Sequence, residues 1–162
     1  MQGQTFWLEG EGQTEHFGEA LGRRVGAGTV IALVGELGAG KTCFVRGLAR
    51  GLRVDDPGAV ASPTYLLAVE HPGPVPLLHM DAYLPGKLEA FLADGGLDYV
   101  GDHPGVVAVE WGDRLRRALP PATIWVTLTR EAQAGVDGRR LRLENAGAVR
   151  DLAGLTATFA GS

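Results

Sequence analysis

The stretch that decides the fold is Val30-Ile31-Ala32-Leu33-Val34-Gly35-Glu36-Leu37-Gly38-Ala39-Gly40-Lys41-Thr42. Its first five residues are a continuous apolar, β-branched-rich run, the pattern of a strand buried on both faces. The next eight fit G-x-x-x-x-G-K-[ST]. Glycines let backbone N–H groups converge on phosphate oxygens, the lysine adds a compact positive charge, and the hydroxyl can ligate Mg²⁺. A helix beginning near Lys41 contributes the positive end of its dipole. A strand, a phosphate loop and a helix in that order imply a nucleoside triphosphate site. The chain has only two lysines, Lys41 and Lys87, against 13 arginines, so a sequence that otherwise uses arginine keeps lysine at the phosphate position. The wider guanidinium fork substitutes poorly for an ammonium there.

Working outward, Thr5 to Leu8 alternates as a short strand, and Phe17, Leu21 and Val25 give a helix over 14–25 one apolar face. The phosphate-loop helix runs to Leu52 with Val45, Leu48, Ala49 and Leu52 inward. Asp55-Asp56-Pro57-Gly58 breaks any periodicity, which makes 53–62 a loop. Strands over 64–69 and 75–80 flank His71-Pro72-Gly73-Pro74 and are expected to pair as a hairpin. Residues 84–93 read as a helix with Leu88, Phe91 and Leu92 inward, ended by Gly95-Gly96. A buried strand over 106–109, a short helix over 113–119 and a strand over 124–128 follow. Gly135-Val136-Asp137-Gly138 turns into a strand over 140–143, and a last helix spans 149–159. The alternation predicts one α/β domain over residues 1–162, a three-layer sandwich of the P-loop NTPase kind around a mixed, mainly parallel sheet.

The 162 residues carry a net charge of −4 with a pI near 5.5, which excludes the overall basic field of an independent nucleic-acid binder. No basic leader precedes an apolar run, and no apolar stretch reaches a membrane-spanning length, so a soluble cytoplasmic protein is expected. The single cysteine, Cys43, permits no internal disulfide and reads as a buried helix residue. The four histidines show no metal-ligand spacing.

Ligands of open α/β sheets lie at the carboxyl ends of the parallel strands. Two other apolar runs end there in acids, Val75–Met80 in Asp81 and Val106–Val109 in Glu110. That is how a P-loop enzyme presents a carboxylate to Mg²⁺ or to an attacking water. Ser62-Pro63-Thr64-Tyr65 falls where segments that sense a γ-phosphate sit, although Thr64 is equally readable as an edge residue of a strand. Trp111 is open to a packing role or to a place beside the phosphates. Arg46, Arg50 and Arg53, and the group Arg114, Arg116 and Arg117, read as solvated faces.

Taken together, the phosphate loop, Phe44-Val45-Arg46-Gly47-Leu48, Ser62-Pro63-Thr64-Tyr65, His79-Met80-Asp81-Ala82-Tyr83 and Glu110-Trp111 resemble the TsaE family, the bacterial ATPase of tRNA threonylcarbamoyladenosine biosynthesis. The resemblance implies a weak, Mg²⁺-dependent ATPase that works beside TsaB and TsaD, with tRNA met indirectly through that complex and no membrane involved. It implies ATP contacts from Gly38, Ala39, Gly40, Lys41, Thr42, Cys43, Thr64 and Trp111. Mg²⁺ falls to Thr42, Glu110 and Asp81, and catalysis to Lys41, Asp81 and Glu110. The chain departs from the family pattern at Glu36, Cys43, Leu84 and Gly112, of which Leu84 removes a positive charge near Asp81. From the residues alone two alternatives stand: a P-loop small-molecule or nucleotide kinase, and a nucleotide-gated binding module with negligible catalysis.

Overall fold

A computed structural model describes residues 2–64 and 67–160. Seven strands form one sheet: β1 (Gly3–Leu8), β2 (Val30–Val34), β3 (Ala68–His71), β4 (Leu77–Asp81), β5 (Val106–Glu110), β6 (Ile124–Arg130) and β7 (Arg139–Glu144). Five helices accompany them: α1 (Glu11–Gly22), α2 (Lys41–Leu52), α3 (Pro85–Ala93), α4 (Gly96–Gly101) and α5 (Leu152–Phe159). The strand order is β1-β7-β6-β2-β5-β4-β3. The four central strands β6, β2, β5 and β4 are parallel, and antiparallel pairings close both flanks. This is the expected mixed α/β sandwich.

The parallel centre explains why these strands read as unbroken apolar runs. Ile31, Leu33, Leu77, Val106 and Ala108 pack on one face with Phe17, Phe44, Leu48 and Phe159 from α1, α2 and α5. The alternating neighbours Val30, Ala32, Leu78, Met80, Val107 and Val109 pack on the other with Val100, Leu115 and Leu119. A strand covered by apolar layers on both faces has no polar side to show. The same period of two decides where the strand-end acids go. Asp81 and Glu110 share parity with Leu77 and Val106, so both lie on the α2 side of the sheet.

Helices α1 and α2 meet backbone to backbone. A Cβ at Gly47 would stand 1.9 Å from the Glu15 carbonyl oxygen, and one at Gly18 would stand 2.2 Å from that of Phe44. Only hydrogen side chains permit such an approach, and it sets α2, with the phosphate loop at its N-terminus, firmly against α1.

Several expected boundaries move. Helix α3 ends before Gly95-Gly96 as expected, but Gly95, at φ 82°, also caps an unexpected helix, α4. Helix α3 buries no residue fully, and Leu92 is exposed where it was expected inward. The expected helix over 113–119 contracts to a 3₁₀ turn at Gly112–Leu115. The last helix begins at Leu152, with Val149 packed in the core from the preceding loop. The β3–β4 hairpin forms, with Val69 opposite His79, but β3 begins at Ala68. Tyr65 and Leu66 of the expected strand over 64–69 lie outside the described residues. No helix among the described residues is long and apolar enough to cross a membrane.

Candidate nucleotide and metal site

Helix α2 opens without a side-chain cap, on Gly40 at φ 107°. Among the described residues no acceptor meets the N–H groups of Gly40, Lys41, Thr42 and Cys43, whereas Phe44 N–H already donates to the Gly40 carbonyl. These free donors and the helix dipole face a cavity of about 490 Å³ at the carboxyl ends of β2, β4 and β5. Gly38, Gly40, Lys41, Thr42, Cys43 and Glu110 line it, together with Thr64, Asp81 and Trp111.

Lys41 is folded back onto its own loop. Its Nζ donates to the carbonyls of Gly35 and Glu36 at 2.6 and 2.8 Å and lies 4.2 Å from the centre of the Trp111 ring. Burial lowers its pKa from the ordinary lysine value, against the opposing pull of Glu110, Asp81 and Asp113. Trp111 takes up this position at φ 58°, a left-handed backbone that is uncommon for a bulky residue. Its ring meets Tyr83 in a tilted contact with centroids 5.0 Å apart, and the Arg114 guanidinium sits over both rings.

The two strand-end acids are register partners across β4 and β5. Glu110 receives the Thr42 hydroxyl at 3.0 and 3.1 Å from its two oxygens, and His79 Nε2 approaches Oε2 at 2.5 Å. Asp81 receives the hydroxyls of Ser62 and Thr64 on Oδ2, at 3.2 and 3.0 Å, and the Tyr83 N–H on Oδ1 at 2.8 Å. The Ser62–Thr64 segment is thereby tied to the end of β4, which puts Thr64 at the cavity rather than on a sheet edge. A hydroxyl and two carboxylates are an all-oxygen donor set, the kind that Mg²⁺ takes. The His79 donor orients Glu110 from behind, as partners of ligating carboxylates do. No cluster of three or more His, Cys, Asp or Glu that could hold a metal occurs among the described residues, so any cation here would also depend on the hydroxyl or on substrate oxygens.

The structure brings together at this cavity all the residues named from the resemblance for ATP, Mg²⁺ or catalysis except Ala39, which is buried behind the loop with its N–H on the Glu36 carbonyl. Cys43 is half-buried and lines the cavity, not the interior; its Sγ lies 3.2 Å from the Glu11 carbonyl, and burial raises its pKa. Arg46 also lines the cavity and so leaves the solvated face expected of it, whereas Arg50 pairs with Glu15. Sequence reasoning missed His79, Ser62 and Tyr83 as individual contributors, although all three lie in stretches that it quoted. It also missed Arg130 and Arg139, which grip the loop from the far hairpin.

Comparison with known proteins identifies the family. Residues 8–141 match the family described as "Threonylcarbamoyl adenosine biosynthesis protein TsaE". The chain is 40% identical over 115 residues to the tRNA threonylcarbamoyladenosine biosynthesis protein TsaE of Treponema pallidum, covering 71% of this chain and 83% of that protein. It is 38% identical over 115 residues to the protein of the same name from Bacillus subtilis, covering 70% and 68%. The crystal structure of Bacillus subtilis YdiB superposes with a TM-score of 0.71 at 25% identity, covering 99% of this chain and 95% of that one. With the phosphate loop, both strand-end acids and Trp111 all inside the matched region, this chain belongs to the TsaE family of threonylcarbamoyl adenosine biosynthesis proteins.

Proposed function

We propose that this chain binds and slowly hydrolyses ATP with Mg²⁺, and that its nucleotide cycle acts on a TsaB–TsaD type complex that carries out threonylcarbamoyladenosine modification of tRNA in the cytoplasm. The observation that carries the reading is the convergence on one cavity of the free α2 amides, Lys41, Thr42, Glu110 and Asp81. The amides of Gly40 to Cys43 and the Lys41 ammonium would bind the phosphates. Thr42, Glu110 and Asp81 would hold Mg²⁺, which when bound withdraws charge from phosphate oxygens. Trp111 keeps water from the lysine. Asp81, through Ser62 and Thr64, links the site to a segment whose order can follow the state of the γ-phosphate. Such a link is what a subunit acting on partners needs.

A phosphotransferase reading finds less support. Residues 84–105 fold as α3, α4 and a turn with Lys87 as their sole Lys or Arg, so they supply no arginine lid over a transferred phosphate. ATP binding and turnover of the purified chain, alone and with TsaB and TsaD, test the proposal. Lys41→Ala should abolish ATP binding, and Glu110→Ala should spare binding but slow hydrolysis. Turnover retained in both variants would overturn the site assignment. Turnover indifferent to the partners would overturn the role.

A further inference from the structure

Arg130 ends β6, Arg139 begins β7, and the two are direct register partners. Side chains opposed in this way share one face of the sheet, where like charges repel. Neither guanidinium forms an ion pair with a carboxylate among the described residues. Both turn to the phosphate loop. Arg139 Nε donates to the Ala39 carbonyl at 2.9 Å, and Arg130 donates through Nε and Nη2 to the Gly38 carbonyl at 3.3 and 3.1 Å. Arg139 is only 3% exposed, and its Nη1 is held by the Asp137 and Gly138 carbonyls at 2.6 and 3.2 Å. The turn that aims it is closed tightly, since a Cβ on Gly138 would stand 2.5 Å from the Ala134 carbonyl carbon.

A buried cation without a counter-charge is costly, and so is a directly opposed pair of cations. Both costs fall on side chains that grip consecutive carbonyls of one loop. A trans peptide points its N–H away from its C=O, and no cis bond occurs among the described residues. Fixing the Ala39 oxygen behind the loop therefore turns the Gly40 N–H to the opposite side, where Gly40 lines the cavity and its N–H has no acceptor among the described residues. Fixing the Gly38 oxygen likewise directs the Ala39 N–H, which donates to the Glu36 carbonyl and closes the loop on itself.

We propose that Arg139, assisted by Arg130, is a positioning residue that presets the phosphate loop for a polyphosphate, and that the phosphates supply the counter-charge the buried guanidinium lacks. The proposal rests on the nucleotide reading of the cavity. Neither arginine touches the ligand; both act through backbone.

The test uses the full chain labelled with ¹⁵N as wild type, Arg139→Gln, Arg139→Lys and Arg130→Gln. It follows the Ala39 and Gly40 amide resonances without nucleotide and the affinity for Mg-ADP by calorimetry. Arg139→Gln should move the Gly40 resonance and weaken Mg-ADP by about tenfold, the loss of one charge-assisted hydrogen bond. Arg139→Lys should recover only part of either effect, because a single ammonium cannot serve all three carbonyls. Arg130→Gln should weaken binding by about threefold. Unchanged affinity and resonances in Arg139→Gln, or full rescue by lysine, would overturn the proposal. Should Arg139→Gln fail to fold, Arg130→Gln decides, since its side chain is exposed and unneeded by the core; unmoved amides and affinity there overturn it equally. A wild-type chain that takes no Mg-ADP would refute the nucleotide reading and the counter-charge, while the amide resonances still decide the preset loop.

Discussion

His79 Nε2 lies 2.5 Å from Glu110 Oε2, with the two residues 0% and 3% exposed. A carboxylate only accepts, so Nε2–H is the donor, and Nδ1 has no partner among the described residues. Thr42 meets the same carboxylate from α2. Glu110 is thus held between a strand and the phosphate-loop helix, which joins the carboxyl end of β5 to the N-terminus of α2.

Removing that donor should be felt as stability before it is felt as chemistry. His79→Phe fills similar space but leaves a buried carboxylate one hydrogen bond short, a loss of about 1.5–3 kcal/mol. His79→Gln keeps a donor and should lose less. Urea unfolding of the two variants checks the order; equal stabilities would mean that the contact contributes nothing net.

The glycine seam between α1 and α2 predicts a sharp contrast. Gly47→Ala has no room, with the Glu15 carbonyl 1.9 Å from its Cβ, so the helices must separate at a cost of about 3 kcal/mol or more. Gly12→Ala, on exposed α1 backbone with nothing within 4 Å, should stabilise by about 0.5–1 kcal/mol. Thermal melts of the two variants should shift in opposite directions.

How much of this was legible in the sequence follows from where the signals are local. The strand, loop and helix over 30–52 and the acids at 81 and 110 could be read because unbroken apolar runs, the acids that end them and glycine spacing are written in consecutive residues. Helix α4 was hidden because Gly95-Gly96 signals termination, yet Gly95 at positive φ is equally able to start a helix. The contraction of 113–119 has a similar origin: Trp111 at φ 58° redirects the chain, and no propensity forecasts a tryptophan there. Arg130 and Arg139 were missed because their meaning is long-range. Their one local trace was a pair of arginines flanking a glycine-closed turn, which register makes into opposed like charges.

His71 should give the stability curve a segment of its own. It is 6% exposed with Nε2 unpartnered, and burial, then the nearby His79, lowers its pKa below the ordinary 6.5. The folded chain therefore keeps His71 neutral where the unfolded chain takes up a proton. The stability is fully present above about pH 6.5 and is lost as pH falls through the folded-state pKa, at up to about 1.4 kcal/mol per pH unit. His71→Phe should flatten that part of the curve; an unchanged slope between pH 6.5 and 5 would contradict the assignment.

Trp111 over Lys41 predicts an optical signal. Nucleotide entering the cavity must change the surroundings of a ring that lines it, so tryptophan emission should change on titration with Mg-ATP and the change should vanish in Trp111→Phe. Phenylalanine keeps a ring face over the ammonium, worth about 0.5–2 kcal/mol, so affinity should fall less than in Trp111→Ala. A signal that survives in Trp111→Phe would have to come from Trp7 or Trp125, and the ring would then lie away from the ligand.

Asp81 makes the last prediction. Its Oδ2 accepts from Ser62 and Thr64 and its Oδ1 from the Tyr83 N–H, so one carboxylate holds the 62–64 segment to β4. Asp81→Asn can keep the Tyr83 contact through its carbonyl but turns an NH₂ toward the hydroxyls, which must then rotate to accept and give up charge-assisted bonds. Hydrogen exchange across 60–64 should quicken in Asp81→Asn without nucleotide, while exchange in β5 and α2 stays slow, because neither element hydrogen-bonds to that carboxylate. In Glu110→Gln the pattern should be reversed, with the segment still protected and only the Thr42 and His79 contacts loosened. Equal exchange of 60–64 in wild type and Asp81→Asn would show that the segment is ordered by its own backbone, and the link proposed through Asp81 would fall.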